Sequence, residues 1–222
     1  MHKIDFIYSK KRIHYQKAIE LMKHKVRKII EKQENQAIWL LEHHNVYTFG
    51  RSAEMHDIIK NLNIPIFHTD RGGKITYHGP GQEIIYVMLN LKEIFGCKPD
   101  IRLFISMLGT WIIDLLHHYE MCTYFDNNSI GIWTKNGKKI ASIGIRVSQG
   151  VSYHGIALNI NPVMNFFSYI NPCGMEHKII TSFFEEKNFI LDPKDVRNNI
   201  KKLFFQTFGL KFNLKLGHEY KI

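Results

Sequence analysis

The order of apolar and polar positions along the chain predicts a set of strands and three long helices. Three segments repeat apolar residues at helical spacing between charged ones, which is typical of helices that bury one face. These predicted helices are Ile13–Glu34, Asp100–Tyr119 and Asp192–Phe208. Short apolar or alternating runs favour strands. The predicted strands are Ile4–Tyr8, Ala37–Glu42, Ile64–Phe67, Glu83–Leu91, Ile130–Trp133, Lys139–Val147, Val151–Ile160 and Leu210–Leu216.

The arrangement of these elements indicates the fold class. The strands cluster in the middle of the chain and the helices are few, which favours an α+β fold over a βαβ repeat. We expect a mixed, largely antiparallel sheet packed with helices. Asn136-Gly137 between two predicted strands is a strong hairpin signal. No repeat, low-complexity tract or long linker interrupts the sequence, so one domain is expected over residues 1–222.

Composition and charge narrow the possible functions. No apolar run reaches the ~18 residues of a membrane span, and the amino terminus lacks a signal-peptide core, so a cytoplasmic protein without membrane contact is expected. The net charge is +10, with +6 in residues 1–35, +5 in residues 194–222 and −1 between them. Such basic ends can attract an acidic partner. Solvated helix faces explain them as well, and without a nucleic-acid module we expect no nucleic-acid binding.

The cysteines and histidines argue against a metal centre. Three cysteines is an odd number, and their spacing contains no Cys-x-x-Cys, which disfavours a disulfide framework and a zinc finger. They are Cys97, Cys122 and Cys173. The histidine pairs at 43–44 and 117–118 are adjacent, so their side chains diverge and make poor paired ligands. We expect neither a metal nor a cofactor.

The segment Arg71–Gln82 departs from the scaffold pattern. Its four glycines allow a sharp turn or the close approach of a ligand, and hydrogen-bonding residues are interleaved with them. It is not a phosphate loop, because the Gly-Lys-Ser/Thr ending is missing. A glycine-rich hairpin with satisfied polar residues is an equally good interpretation.

Two other residues have reactive side chains in unusual surroundings. Lys139 stands just after the Asn-Gly turn, where a strand enters an apolar region, although a solvated turn lysine like Lys138 is the simpler interpretation. Cys173 lies between Pro172 and Gly174, and its thiolate would need a cationic neighbour, since a free thiol with a pKa of about 8.5 is mostly protonated at neutral pH. Cys97 is flanked in a similar way, so the pattern does not choose between them.

Taken together, these segments resemble the lipoyl(octanoyl) transferase family. The resemblance covers about two thirds of the chain, and the order and spacing of its parts are hard to obtain by chance. Its strongest feature is the glycine segment in register with Lys139 and, 34 residues later, Cys173. The segments that carry it are Glu42–Arg51, Thr69–Gln82, Lys139–Gly144, Val151–Asn161, Asn171–Met175 and Thr181-Ser182.

The resemblance implies an activity and a mechanism. Enzymes of this family take an octanoyl group from acyl carrier protein and deliver it to a lysine of a lipoyl domain, in 2-oxoacid dehydrogenase complexes or the glycine cleavage H protein. Cys173 would form the acyl-thioester, Lys139 would lower the thiol pKa and move protons, and backbone N–H groups near Gly144 would hold the oxyanion. Neither ATP nor a metal is required. A monomer with the fold of biotin/lipoate ligase catalytic domains is implied.

The resemblance also implies which residues bind the acyl group. Small residues among them leave room for an extended eight-carbon chain. The implied positions are Arg71, Gly72, Gly73, Lys74, Ile75, Thr76, Tyr77, His78, Ser142, Ile143, Gly144, Gly155, Ile156 and Ala157.

One departure from the family pattern and two rival functions stand beside this expectation. Glu83, Ile85 and Val87 replace the family's usual leucine, glycine and proline, and are expected to reshape the edge of the pocket and its chain-length preference. An ATP-dependent ligase of the same fold would not need Cys173. A catalytically dead relative would bind acidic domains without forming an adduct.

Overall fold

The computed structural model describes residues 2–61, 63–172, 180–209 and 214–222. The strands are β1 His2–Tyr8, β2 Gln36–Leu41, β3 Val46–Phe49, β4 Ile66–His68, β5 Thr76–His78, β6 Gln82–Met88, β7 Thr123–Asp126, β8 Gly131–Thr134, β9 Lys139–Ser148, β10 Val151–Asn159 and β11 Leu214–Lys221. The helices are α1 Tyr15–Ile30, α2 Leu91–Phe95, α3 Ile101–His118, α4 Phe183–Lys187 and α5 Pro193–Phe204.

Two sheets organise the chain. The large sheet has the order β11-β1-β2-β6-β10-β9-β8-β7, and the small sheet has the order β4-β3-β5. In the large sheet, β1 runs parallel to both β11 and β2. The remaining neighbours in this sheet are antiparallel, namely β2-β6, β6-β10, β10-β9, β9-β8 and β8-β7. The predicted α+β fold with a mixed, largely antiparallel sheet is therefore confirmed.

Helices cover both faces of the large sheet. On one face α3 and α5 form the main core, where Trp111 packs edge-on against Phe204. On the other face α1 buries the stripe Ala18, Met22 and Val26 against the sheet. The four-residue spacing of that stripe is what its sequence pattern predicts. Within the described ranges, no helix combines the length and the apolar character needed to cross a bilayer.

Two of the three long helices, α3 and α5, begin with a side-chain cap, whereas α1 has none at His14. The Asp100 side chain accepts from Leu103 N at 2.9 Å, and the Asp192 side chain accepts from Lys194 N at 3.2 Å, with Pro193 in the first turn. Caps of this kind satisfy N–H groups that the helix itself leaves open.

Several element boundaries differ from the prediction. The strand predicted over Glu83–Leu91 ends at Met88, because the Asn90 side chain caps α2. Three short strands (β3, β5, β7) and the one-turn helices α2 and α4 were not predicted. α1 ends at Ile30, four residues early, and α5 ends at Phe204, before a π turn over Phe205–Gly209. Of the strand predicted over Leu210–Leu216, residues 210–213 lie outside the described residues.

Candidate active site

A cavity of about 420 Å³ lies between the large sheet and the glycine segment. Its volume is within the range of small-molecule sites. It is lined by every implied acyl-binding position except Tyr77, and by Lys139. The full lining is Tyr15, Ser52, Arg71, Gly72, Gly73, Lys74, Ile75, Thr76, His78, Ile84, Tyr86, Ile105, Asn128, Ser129, Ile130, Lys139, Ser142, Ile143, Gly144, Ile145, His154, Gly155, Ile156, Ala157 and Pro172.

The floor of the cavity is formed by three neighbouring strands of the large sheet. Ala157 on β10 pairs with Ile84 on β6 and with Ser142 on β9. In a second row Gly155 pairs with Tyr86 and Gly144. In both rows the small residues of β10 and β9 therefore lie beside a larger residue of β6. A Cβ on Gly155 would meet Ile85 O at 2.0 Å, so the approach of β10 to β6 requires glycine there.

The glycine segment lies over this floor and is tied to it by backbone contacts. Gly72 N donates to Ile145 O at 3.2 Å, and a Cβ on Gly144 would lie 3.0 Å from Gly72 O. A Cβ on Gly50 would lie 2.1 Å from Gly73 O, so the next loop also approaches closely. These glycines permit close approach of backbone to backbone, which supports the structural interpretation of the segment as well as the functional one.

Arg71 holds the glycine segment against β3. Its Nη2 donates to Thr48 O at 2.6 Å and Thr48 Oγ1 at 2.7 Å, and its Nη1 donates to Gly72 O at 2.9 Å. Burial lowers the pKa of Arg71 to about 10, which leaves the guanidinium charged at neutral pH. Most of its donors are used within the protein, so Arg71 fixes the wall of the cavity.

A directional hydrogen-bond chain starts at this wall. Thr48 Oγ1 lies 3.2 Å from His78 Nε2, and His78 Nδ1 lies 2.7 Å from Gln82 Oε1. Burial lowers the pKa of His78 well below its usual value, so the ring is neutral, with one donor and one acceptor nitrogen. The Gln82 oxygen must accept, because its Nε2 donates to Asn159 Oδ1 at 2.8 Å. His78 therefore carries its proton on Nδ1.

The hydrogen-bond chain ends beside Lys139. Asn159 Nδ2 donates to Thr181 O at 2.9 Å, and Thr181 N donates to Lys139 O at 2.9 Å. Ile180 forms a parallel bridge with Lys139. The residues that follow the cysteine-bearing segment are thus fastened to the first residue of β9.

Lys139 itself is buried, which excludes the interpretation of a solvated turn lysine. It is 5% exposed, whereas its neighbour Lys138 is exposed. Its Nζ lies 5.3 Å from the centre of the Trp133 ring. A Cβ on Gly131 would lie 2.2 Å from Lys139 Cε, so the lysine stem crosses a position that only glycine leaves open.

The predicted nucleophile, Cys173, lies outside the described residues. Pro172, the residue before it, lines the cavity. Asn171 N donates to Asp57 O at 2.7 Å, and the Asp57 side chain accepts from Lys74 Nζ at 2.9 Å. The other two cysteines, Cys97 and Cys122, are exposed and do not line the cavity.

Tyr77 does not line the cavity, because strand alternation turns its side chain away. Thr76 and His78 point inward, whereas Tyr77 is fully buried on the other side of β5. Its ring stacks on Phe166 at 4.7 Å between centroids, and its hydroxyl donates to Asn45 Oδ1 at 2.9 Å.

The expectation that Glu83, Ile85 and Val87 reshape the pocket is wrong. Alternation along β6 turns Ile84 and Tyr86 into the cavity and the other three residues away from it. Ile85 and Val87 belong to the main core. Glu83 accepts from Arg197 Nε at 3.0 and 3.1 Å.

A pair formed by the buried His154 of the cavity lining and the partly exposed Asp70 was not predicted. His154 Nε2 lies 2.9 Å from Asp70 Oδ1, and Tyr153 OH donates to Asp70 Oδ2 at 2.6 Å. The hydrogen bond from His154 holds the pKa of Asp70 well below its usual range, and burial lowers the pKa of His154. His154 has φ +59°, which is uncommon outside glycine. The Tyr-His-Gly run was visible in the sequence, but nothing in it pointed to Asp70.

Other lining residues were also missed. Ile84 and Tyr86 follow from alternation once β6 is known. Tyr15 comes from α1, and the turn over residues 128–130 closes another side. No local pattern marks either as part of a site. In the described part of the chain, no three His, Cys, Asp or Glu residues are grouped to hold a metal ion.

Comparison with protein families and curated proteins gives consistent matches. The model of the lipoyl protein ligase A/B catalytic domain matches residues 14–205. An octanoyltransferase from Wolbachia sp. subsp. Brugia malayi is 41% identical over 212 residues, covering 92% of this chain and 100% of that protein. An octanoyltransferase from Ehrlichia canis is 42% identical over 193 residues, covering 82% of this chain and 89% of that protein.

Solved structures share the fold at low sequence identity. A lipoate protein ligase, described as putative, from T. acidophilum with bound lipoic acid has a TM-score of 0.73 at 13% identity, covering 100% of this chain and 89% of that chain. Lipoate-protein ligase A bound with ATP has a TM-score of 0.72 at 12% identity, covering 100% and 90%. Biotin protein ligase from Aquifex aeolicus with biotin and ATP has a TM-score of 0.55 at 14% identity, covering 95% and 72%. The fold implied by the resemblance is confirmed.

Proposed function

Since the chain belongs to the lipoyl protein ligase A/B catalytic domain family, we propose that it is an acyltransferase that moves an octanoyl group from acyl carrier protein to a lysine of a lipoyl domain. The observation that carries this proposal is the identity of more than 40% to octanoyltransferases over most of the chain. The acceptors are lipoyl domains of 2-oxoacid dehydrogenase complexes and the glycine cleavage H protein. We take residues 1–222 as one catalytic domain that acts as a monomer in the cytoplasm.

Cys173 and Lys139 carry the first half-reaction. The Cys173 thiolate attacks the thioester carbonyl carbon, and the bond to the carrier sulfur breaks. The leaving sulfur takes a proton from the Lys139 ammonium, which leaves an octanoyl-cysteine and a neutral lysine amine. Positioned proton transfer of this kind contributes ~10²–10⁴ in rate.

The second half-reaction restores both residues. The amine of the acceptor lysine attacks the octanoyl-cysteine carbonyl, and Lys139 takes the proton that this amine loses. The carbon–sulfur bond breaks, so the Cys173 thiolate and the Lys139 ammonium are regenerated. Because a thioester is converted into an amide, this step runs downhill and needs no ATP.

Four features of the described residues support the placement of this chemistry. Lys139 is buried and lines the cavity. Pro172, the residue that precedes Cys173 in the sequence, lines the same cavity. Ile180, the next described residue after Pro172, forms a bridge with Lys139. The floor of glycine, alanine and serine leaves space for the acyl chain.

The proposal is tested by following octanoylation of a lipoyl domain by mass spectrometry. With octanoyl-acyl carrier protein as donor, we expect transfer without ATP, and no transfer from free octanoate plus ATP. The variant Cys173→Ala should be inactive, whereas Cys97→Ala, at an exposed site outside the cavity, should match the wild type. Transfer only from free octanoate plus ATP would identify a ligase and contradict the proposal.

A further inference from the structure

A second, strongly basic depression lies beside the carboxyl ends of β1 and β2. It has a volume of about 550 Å³ and is referred to below as the basic groove. Four cationic side chains surround it, together with one glutamate. Its lining is Ser9, Lys10, Lys11, Arg12, Glu42, His44, Pro193 and Arg197.

The basic groove is where the two basic ends of the sequence meet. Lys10, Lys11 and Arg12 come from the amino-terminal region that carries +6, and Arg197 comes from the carboxy-terminal region that carries +5. The parallel pairing of β1 with β11 brings these regions side by side. A charge distribution that is split in the sequence is therefore concentrated on one part of the molecule.

Two of the four cations are available to a partner. Arg12 is 3.3 Å from Glu42, and Arg197 is 3.0 Å from the buried Glu83. Lys10 and Lys11 are exposed, and within the described ranges neither has an ion-pair partner.

Glu83 helps to orient one cation of the basic groove. Arg197 donates from Nε to Glu83 and from Nη1 to Ser9 O at 3.0 Å, so the Arg197 guanidinium is held in one orientation in the wall of the groove. The residue that departs from the family pattern thus supports a groove cation and not the acyl cavity.

The basic groove and Lys139 lie at the same end of the large sheet. Leu41, the last residue of β2, pairs with Ile84, which pairs with Ala157, which pairs with Ser142 near the start of β9. β2 and β1 are three and four strand spacings from β9, which corresponds to roughly 14–19 Å at 4.7–4.9 Å per spacing.

We propose that the basic groove docks an acidic face of the carrier protein that donates the octanoyl group; this rests on the function proposed above. A carrier protein presents its acyl group on a long flexible arm, so it can dock at this distance and still reach the cavity. The acceptor lysine has a side chain of only four methylenes, so the acceptor domain must bind nearer to Lys139. Unpaired lysines at such a site accelerate encounter with an acidic protein.

The test compares a protein donor with a neutral small donor. We expect the double variant K10E/K11E to lower kcat/KM for octanoyl-acyl carrier protein about tenfold relative to kcat/KM for octanoyl-N-acetylcysteamine. The matched control is K98E/R102E, which makes the same charge change at two exposed residues beyond the opposite end of β6. Its ratio of the two kcat/KM values should equal that of the wild type.

Each outcome supports or contradicts the proposal. An unchanged ratio in K10E/K11E, or an equal drop in K98E/R102E, would overturn the docking site while leaving the proposed function intact. Failure of the wild type to use either thioester would overturn both. Binding of a DNA duplex that K10E/K11E abolishes, with normal use of the carrier protein, would assign the groove to nucleic acid instead.

Salt dependence of the wild type tests the same point without any variant. Between about 0.05 and 0.3 M NaCl, kcat/KM for the carrier-protein donor should fall severalfold, because screening weakens attraction between exposed charges. The value for the neutral thioester should stay constant. Equal salt responses of the two donors would contradict electrostatic docking.

Discussion

The two ends of the cavity between the large sheet and the glycine segment are built in different ways. At one end Lys139 is positioned by packing over Trp133 and Gly131. At the other end His154 is held by Asp70, and it pairs with Ile145, six residues along β9 from Lys139, or roughly 20 Å at 3.4 Å per residue. Both side chains are buried, so burial alone does not distinguish them.

From this difference we propose which end performs the chemistry. The ring of His154 has its tautomer fixed, because the low pKa of Asp70 keeps that carboxylate ionised as an acceptor for Nε2. Such an arrangement fixes the orientation of the His154 ring and the position of its proton. Lys139 pairs instead with Ile180 and lines the same cavity as Pro172, and these two residues flank the segment that contains Cys173. We therefore assign proton transfer to the Lys139 end and positioning of the acyl group to the His154 end.

Replacing the two residues should have the largest and most unequal effects. Lys139→Ala should lower kcat by about 10²–10⁴, and Lys139→Arg should lower it similarly, because a guanidinium does not release its proton. His154→Asn, which tolerates the positive φ, should raise KM severalfold with little change in kcat. Steady-state kinetics check both, and equal losses of kcat at the two ends would contradict the assignment.

Disturbing the packing of Lys139 should reproduce part of that loss. Gly131→Ala places a Cβ 2.2 Å from Lys139 Cε and 2.6 Å from Ala141 O, and it should lower kcat by about 10- to 100-fold, since displacement of Lys139 and of the strand that carries it costs that much. The matched control is Gly137→Ala, which imposes a positive-φ strain in the same hairpin with nothing within 4 Å of the added carbon. If the two variants lose activity equally in turnover assays, strain and not Lys139 is responsible.

The hydrogen-bond chain that ends at Thr181 should have a smaller effect. Asn159→Asp removes the amide that donates to Thr181 O and sets a carboxylate against that carbonyl. We expect kcat to fall about tenfold and the pH profile of thiol alkylation to shift, because Thr181 is bonded to Lys139. Asn45→Asp keeps its acceptor role toward Tyr77 and serves as the control. An unchanged alkylation profile in Asn159→Asp would limit that residue to a structural role.

The buried histidines should make the protein acid-sensitive. Burial lowers the pKa of His43 to about 4, against about 6.5 when unfolded, so the unfolded chain takes up the proton first. Stability from this group is complete above pH 6.5, falls as the pH drops, and is lost near pH 4. At 1.36 kcal/mol per unit the loss is about 3 kcal/mol.

Chemical unfolding across that pH range measures the effect. His43→Asn keeps a donor for Ile13 O and should show a shallower loss of stability than the wild type. Identical pH slopes in the two proteins would show that His43 is not held neutral. This prediction concerns the free energy of unfolding alone and not kcat at neutral pH.

Much of the fold follows from local sequence patterns, and the exceptions have physical causes. Helices α1, α3 and α5 and strands β9 and β10 follow from periodicity and turn signals. The short strands β3 and β5 do not, because Tyr47 and Tyr77 are buried by a separate cluster with Phe167 that only tertiary packing creates. The one-turn helix α2 depends on the Asn90 cap inside an apolar run.

The candidate site was predictable where its residues are close in sequence. Arg71–Thr76, Ser142–Gly144 and Gly155–Ala157 all line the cavity. The pairing of Asp70 with His154 joins residues 84 positions apart, and no local pattern reveals it. The error over Glu83 arose because family differences carry no information about which face of β6 a residue occupies.

Transfer through an octanoyl-cysteine is tested by intact-protein mass spectrometry after mixing the enzyme with octanoyl-acyl carrier protein and no acceptor. We expect a gain of one octanoyl group that hydroxylamine removes, that is absent in Cys173→Ala, and that forms far more slowly in Lys139→Ala. An adduct that persists in Cys173→Ala, or none in a wild type that still binds the carrier protein, would contradict it.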